Sequence, residues 1–423
     1  EALHKIQHYF GPLKGAETPI PKMYTREFVQ QGERRFTLRR PGQLGLVQMA
    51  WHVPPMEHKD TQALDVLQDL LAEGVNSRLH QKIVDTEKAL YAGAFNLQLR
   101  DPGLFIVHAK LAPEVTHEDL ETALHAVIAE VQENLASPQE MQRIKNQVHA
   151  QFSYQRHGAR QLASLLAEYE AAASWRHMVR YLEALNAVTA EDVQRVAQTY
   201  LQRDNLTVGW YVPGEAQTVE VDQRTALAPA EAANAAVHTE SSALLEDLRQ
   251  RDGEIYREAI GDNAYFLAQV NLLDDTVSLR GRLLAGMSFN PEDKKPLAQL
   301  CASMLKKGCA DYSKTELDDA LGQLGSSIDF QVGMDSLSFS VRCLQEHLSA
   351  TLDILAQLLK SPRFPEDEFE KLKRQRVGRL KQRLESPDAM AFDELYRALY
   401  PEDHYHYQDS VEALIEATEA TTL

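Results

Sequence analysis

The alternation of apolar and polar residues separates strand-like stretches of the chain from helix-like ones. Residues 44–53 alternate roughly one by one, which predicts a β-strand with one buried face. Residues 62–71 carry leucines at helical spacing, and Gly74 predicts the end of that helix. The stretches 93–99 and 104–111 are again strand-like and flank a short turn, so they predict a hairpin.

Three short polar motifs predict where the next helices begin. In each of them a hydroxyl precedes a carboxylate by three residues, which is the spacing of a capping box. The motifs are Thr116-x-x-Asp119, Ser137-Pro138-x-Glu140 and Thr189-x-x-Asp192. Helices are therefore predicted up to about residue 201, and residues 205–212 predict a closing strand.

The same order of elements recurs later in the chain. The second set is a strand at 278–289, a helix at 297–305 ending at Gly308, a hairpin of 327–333 with 337–344, and a helix at 347–359. The segment from Trp51 to Gly74 is as long as that from Ala285 to Gly308, at an offset of 234 residues. Shared order and spacing favour one duplicated α+β unit, each a mainly antiparallel sheet with helices packed on one face.

This pattern predicts how the chain is organised. Residues 1–16 are interpreted as a connector, 17–213 as one domain, 214–255 as a partly helical linker and 256–423 as a second domain whose completeness is left open. A chain of 423 residues is too long for one core, which agrees with this division.

Composition narrows the function classes. The formal net charge of −18 argues against nucleic-acid binding, and no apolar run is long enough for a membrane span. The three cysteines form no CxxC pair, so a thiolate zinc site is not expected. Glu1 begins in mid-helix pattern without Met, which predicts a piece of a longer, soluble protein, with bacterial periplasm and cytoplasm both left open.

The most informative segment is 296–309, which reads Pro-Leu-Ala-Gln-Leu-Cys-Ala-Ser-Met-Leu-Lys-Lys-Gly-Cys. It resembles the helix of the pitrilysin/insulinase metallopeptidases, G-L-A-H-F-L-E-H-M-L-F-K-G-T. In that family both His of H-x-x-E-H bind zinc and the Glu acts as base. The matching slots here hold Gln299, Ala302 and Ser303.

The resemblance extends to the later zinc ligand. The family's third ligand, a Glu, corresponds by spacing to Arg379, and a supporting Glu corresponds to Leu372. An Arg in a ligand slot repels a dication. The resemblance therefore implies no catalytic residue, metal or cofactor in this chain, with zinc expected in a missing upstream domain of the parent.

A second motif supports the same family. Gly74-Val-Asn-Ser-Arg-Leu-His followed by Lys88-Ala-Leu-Tyr resembles the pattern G-x-x-S-R-L … K-G-L-A-Y of its non-catalytic domain, with Ala89 in place of the usual Gly. The resemblance makes Ser77, Arg78 and Tyr91 candidates for the wall of a substrate chamber. Structural roles stay open: Ser77 as cap of the next helix, and Arg78 as partner of an acidic residue in a neighbouring domain.

The resemblance implies repeated α/β-sandwich domains like those of the mitochondrial processing peptidase. The chain then corresponds to the second domain, the linker and a degenerate third domain, and its partners are the parent's other domains and peptide substrates. Self-association would follow if the interface with the missing domain were exposed. The first hypothesis is a non-catalytic middle portion of a zinc metalloendopeptidase, inactive alone; the alternative is part of a non-catalytic scaffold or partner subunit.

One basic stripe has two interpretations. It consists of Arg374, Arg376, Arg379, Lys381 and Arg383 on one predicted helix. A solvated or salt-bridged helix face is one interpretation, and contact with the other half of the molecule is the second.

Overall fold

The computed structural model describes the chain apart from several gaps. The described residues are 2–14, 29–156, 159–214, 256–260, 264–268, 276–291, 295–384, 386–402, 404, 407 and 409–423. The predicted linker at 214–255 lies outside the described residues except for Gly214, which ends a strand.

Helices and strands alternate in two successive sets. The strands are β1 (Arg34–Pro41), β2 (Leu46–Val53), β3 (Ala89–Leu97), β4 (Gly103–Leu111), β5 (Leu206–Gly214), β6 (Tyr256–Ile260), β7 (Ala264–Ala268), β8 (Thr276–Leu283), β9 (Ser327–Val332) and β10 (Leu337–Leu344). The helices of the first set are α1 (Ala2–Phe10), α2 (Thr61–Ala72), α3 (His117–Glu133), α4 (Pro138–Gln155), α5 (Ala159–Ala172), α6 (Trp175–Asn186) and α7 (Ala190–Tyr200). Those of the second are α8 (Leu297–Met304), α9 (Lys314–Gln323), α10 (Leu348–Lys360), α11 (Glu366–Arg383), α12 (Pro387–Leu399) and α13 (Val411–Ala420).

The first set forms a five-stranded sheet in the order β1-β5-β2-β4-β3, in which only β1 and β5 are parallel. Alternate residues of β2, from Val47 to Val53, are buried, as the period-two pattern predicts. They pack with buried residues of α2, α3 and α7 in one large core. The predicted α+β class, with a mainly antiparallel sheet, is confirmed.

The second set repeats part of this topology. Its strands follow the order β8-β10-β9, which matches β2-β4-β3 in position along the chain and in antiparallel pairing. Helices α2 and α8 occupy the same place in each set, after the first of these strands. Each is followed by a glycine with positive φ, Gly74 at +80° and Gly308 at +130°.

The strand predicted at 278–289 is too long, because β8 ends at Leu283. Beyond it, the amides of Met287 and Ser288 donate to the carbonyls of Gly333 and Met334 in the β9–β10 turn. A Cβ at Gly286 would lie 2.2 Å from the Met334 oxygen, so the chain crosses this turn at close range. A contact between distant segments therefore ends the strand, and Met287–Phe289 forms a 3₁₀ turn.

Candidate functional site

Four of the five zinc-slot residues line one cavity of about 250 Å³ between α8 and α11. Gln299 and Ser303 lie one turn apart on α8, whereas Leu372 and Arg379 lie on the facing side of α11. Ala302 is buried and does not line the cavity. The residues that sequence spacing matched to the family's zinc ligands are thus neighbours in space. Their equivalence to zinc ligands stays a prediction.

Apolar packing brings the two helices together. Leu300 and Met304 of α8 are buried against Phe369 and Leu372 of α11. The spacings from 300 to 304 and from 369 to 372 place each pair on one helix face. The neighbouring residues on α8, Gln299 and Ser303, line the cavity beside this contact.

The donor groups of this cavity do not fit a zinc ion. The Ser303 hydroxyl donates to the Gln299 carbonyl at 2.9 Å, and Gln299 Nε2 donates to Met287 Sδ at 3.1 Å. Zinc in proteins is bound by thiolate, imidazole or carboxylate, whereas this cavity is lined by amide, hydroxyl, guanidinium and apolar side chains. Across the described ranges, no group of three or more His, Cys, Asp or Glu residues could hold a metal.

The cavity is instead cationic, since Arg376, Arg379 and Arg383 also line it. Arg383 pairs with Asp393 of α12, with Nε 2.9 Å from Oδ2, and this hydrogen bond raises the pKa of Arg383. Burial and the neighbouring charge of Arg379 lower the pKa of Arg376, whose Nε donates to the neutral Thr418 hydroxyl at 3.2 Å. The positive charges here are only partly compensated.

The motif after Gly74 lies at the junction of the two sets of elements. The Asn76 amide N–H donates to Asp318 Oδ2 at 3.2 Å. Its side-chain nitrogen donates to the Thr315 carbonyl at 2.8 Å and to Asp319 Oδ1 at 2.7 Å, all on α9. Asn76 was not predicted as a functional residue from the sequence, although its position within the Gly74–Arg78 motif could have identified it.

The three chamber candidates have different environments. Ser77 is buried and its hydroxyl donates to the Gly74 carbonyl at 2.8 Å, so it does not cap the following helix as the structural alternative expected. Arg78 is buried and pairs with Glu140 at 3.3 Å and with Glu130 at 3.7 Å, both of its own set rather than of a neighbouring domain. Tyr91 is exposed on β3. The chamber role of all three stays a prediction.

A second cavity of about 570 Å³ lies at the same junction and is lined by carboxylates that sequence reasoning did not identify. Burial raises the pKa of Asp65 to about 6, although Asn96, Gln98 and Tyr181 donate hydrogen bonds that oppose the shift. Burial raises the pKa of Asp69 to about 7. The i, i+4 spacing of Asp65 and Asp69 on the apolar helix α2 could have identified this pair from the sequence.

Two protein-family models match separate parts of this chain. The family model described as the inactive domain of peptidase M16 matches residues 1–148, and the model of insulinase, peptidase family M16, matches residues 270–408. A zinc protease of Helicobacter pylori, PqqE, is 29% identical over 208 residues, which are 48% of this chain and 47% of that protein. The chain thus spans about half the length of the curated relative it matches.

Two solved structures also resemble the chain. A protease from Helicobacter pylori shares 28% identity over 50% of this chain and 51% of its own, with a TM-score of 0.48. The periplasmic protease PqqL from Escherichia coli is 12% identical, with 99% of this chain and 50% of its own covered and a TM-score of 0.42.

The two family matches, which together cover more than half of the sequence, carry the assignment. This chain belongs to the insulinase family, peptidase family M16, and the family resemblance of its motifs is confirmed. Among the described residues, every helix is too short or too polar to span a lipid bilayer. Periplasm or cytoplasm as its location stays a prediction.

Proposed function

We propose that this chain is a non-catalytic portion of a zinc metalloendopeptidase. In this proposal residues 17–213 form the non-catalytic second domain of one half, and 256–423 form a degenerate first domain of the other half. The observation that carries it is the lining of the cavity between α8 and α11, which includes Gln299, Ser303 and Arg379, the residues predicted for the zinc-ligand slots, and no thiolate, imidazole or carboxylate. The match of 1–148 to the inactive-domain model supports the first of these assignments.

The proposed contribution to catalysis is structural. A catalytic zinc needs three protein ligands and an open position for water, and the parent would supply these outside this chain. The exposed Tyr91 on β3 and the carboxylate-lined cavity at the junction are surfaces that a peptide could reach in an enclosing chamber. The other domains of the parent, together with peptide substrates, would be the partners of this chain.

The test compares this chain with the full-length protein encoded by its reading frame. After dialysis against a chelator and readdition of zinc, the isolated chain should retain no stoichiometric zinc and cleave no peptide. The full-length protein should bind zinc and cleave peptides, with loss of activity on chelation. Stoichiometric zinc and peptidase activity in the isolated chain would contradict the proposal.

The alternative is a scaffold or partner subunit, and the observation that favours it is that no thiolate, imidazole or carboxylate lines the cavity between α8 and α11. If full-length protein lacked an H-x-x-E-H motif and activity but formed a stable complex with a separate catalytic chain, the scaffold function would replace the enzyme function.

A further inference from the structure

The cationic half of α11 is an unusual concentration of charge in an acidic protein. Seven Lys or Arg residues and no Asp or Glu lie between Lys371 and Arg383, in a chain of formal net charge −18. Like charges at such spacing on a helix repel one another. Carboxylates outside this stretch of α11 therefore have to offset this repulsion.

Most of these cations have such partners. Lys371, Lys373 and Arg374 lie 3.5 Å or less from the carboxylates of Glu368, Glu370 and Glu87, and Arg383 is held by Asp393. The contact of Arg374 with Glu87 joins α11 to the first set of elements, which is the second interpretation of the basic stripe. Arg383 pairs within its own set, which is the first interpretation. Arg376, Arg379 and Lys381 have no carboxylate within ion-pair distance among the described residues.

Two of these three unpaired cations share the cavity between α8 and α11. Arg376 and Arg379 are one turn apart on the wall that faces Gln299 and Ser303, and Arg383 lies a further turn along. Leu300, Leu372 and Leu380 form the apolar part of the wall. Lys381 does not line the cavity, which distinguishes its setting from that of Arg379.

The partial burial of Arg376 makes its missing counterion costly. A charged group removed from water needs a partner of opposite charge or complete hydrogen bonding, and Thr418 offers one neutral oxygen. A guanidinium presents planar, paired donors whose geometry matches a carboxylate or a phosphate. An anion in this cavity would contact Arg376 and Arg379 together and relieve the repulsion between them.

We propose that the cavity between α8 and α11 is a binding site for a carboxylate, with Arg376 and Arg379 as its ligands. A volume of about 250 Å³ is below the range of pockets for drug-sized molecules, so it fits a small acidic group such as the end of a peptide. Substitution of the zinc ligands would thus have replaced a cation site by an anion site. The proposal depends only on α8 and α11 and does not rest on the proposed function.

A simpler explanation of the arginines is favourable interaction with the C-terminal end of α11. Cations in the last turn of a helix are stabilised by its dipole, and Lys381 and Arg383 lie there, with Arg379 just before it. That explanation gives Arg379 no larger role than Lys381. A matched pair of variants, Arg379→Gln and Lys381→Gln, therefore separates the two.

The experiment is a calorimetric titration of the whole chain, at constant ionic strength, with N-acetyl-trialanine that bears a free C-terminal carboxylate. The same peptide with a C-terminal amide and inorganic phosphate are titrated in parallel. We expect saturable binding of the free acid on the order of 1 mM, the strength of a small, open charged site. The amide should not bind, and phosphate binding in addition would identify a general oxyanion site.

The variants decide whether the proposed residues are responsible. The single variants Arg379→Gln and Arg376→Gln should each weaken binding about tenfold, which is the effect of losing one charge-assisted hydrogen bond. Lys381→Gln should bind like the unaltered chain, and thermal unfolding should show that exposed Arg379→Gln is folded. Absence of saturable binding, equal affinity for acid and amide, or equal losses in Arg379→Gln and Lys381→Gln would each overturn the proposal.

Discussion

The carboxyl groups of Asp65 and Asp69 show how the same side chain acquires different chemistry from its surroundings. Asp65 accepts hydrogen bonds from three donors, whereas among the described residues the side chain of Asp69 accepts one, from Gln68 Nε2 at 3.0 Å. Burial raises the pKa of both, and the nearby Glu73 and Asp65 carboxylates raise that of Asp69 further. The sequence shows two acids on one face of α2, but the donors that distinguish Asp65 come from distant segments.

Replacing Asp69 by Asn tests this setting. Its folded-state pKa of about 7 exceeds the ordinary value of 3.8, so the folded protein holds this proton more tightly than the unfolded chain does. Stability from this group is complete below about pH 4 and is lost as the pH rises through 7. Asp69→Asn should therefore melt higher than the unaltered chain at pH 8, by about 2–4 °C for each kcal/mol that the buried charge costs, and the difference should vanish near pH 4.

Calorimetric melting between pH 4 and pH 8 measures this difference. Exposed Asp101, in the turn between β3 and β4, provides the control, and Asp101→Asn should follow the unaltered chain at every pH. A constant offset between Asp69→Asn and the unaltered chain would show that Asp69 does not titrate in this window.

At the scale of elements, local signals predicted the beginnings of helices better than the ends of strands. The capping boxes at Ser137 and Thr189 are present, because each involves only residues three apart. The end of β8 and the partners of Arg78 depend on contacts with distant segments, which no local pattern encodes. The family spacing grouped four of the residues that line the cavity between α8 and α11, and the sequence showed a basic stripe. It did not show which arginines of that stripe face the cavity, nor the junction with α9.

The glycine that follows α8 provides a prediction at this scale. Gly308 has φ +130°, and a Cβ there would lie 2.9 Å from the Tyr312 backbone oxygen, which cannot move without breaking the turn. Gly308→Ala should therefore cost about 1–3 kcal/mol of unfolding free energy. Gly333→Ala, where φ is not in the left-handed region and the nearest contact is 3.6 Å, should cost less than about 0.5 kcal/mol. Equal losses in urea unfolding would contradict this account of the helix end.

At the scale of the whole molecule, polar contacts join the two repeated sets into one structure. Lys314 Nζ lies 2.8 Å from Asp85 Oδ1, and the Tyr154 hydroxyl donates to the Gly325 carbonyl at 3.1 Å. Although burial alone would raise it, hydrogen bonds from His80 and Lys314 hold the pKa of Asp85 well below its usual value. Such contacts orient the sets without a large apolar core shared between them in the part of the chain that the structure describes, where each cluster of buried residues lies within one set.

Asn76 is the residue whose removal should separate the two sets most clearly. Asn76→Ala deletes both side-chain hydrogen bonds to α9 and leaves the Thr315 carbonyl without that donor, at an expected cost of about 1–3 kcal/mol. Because the loss falls on the junction, calorimetry should show the second set melting earlier while the first set, with its larger core, melts nearly as before. The exposed Asn134→Ala is the matched control. A uniform shift of a single transition in Asn76→Ala would mean that the two sets unfold as one cooperative unit.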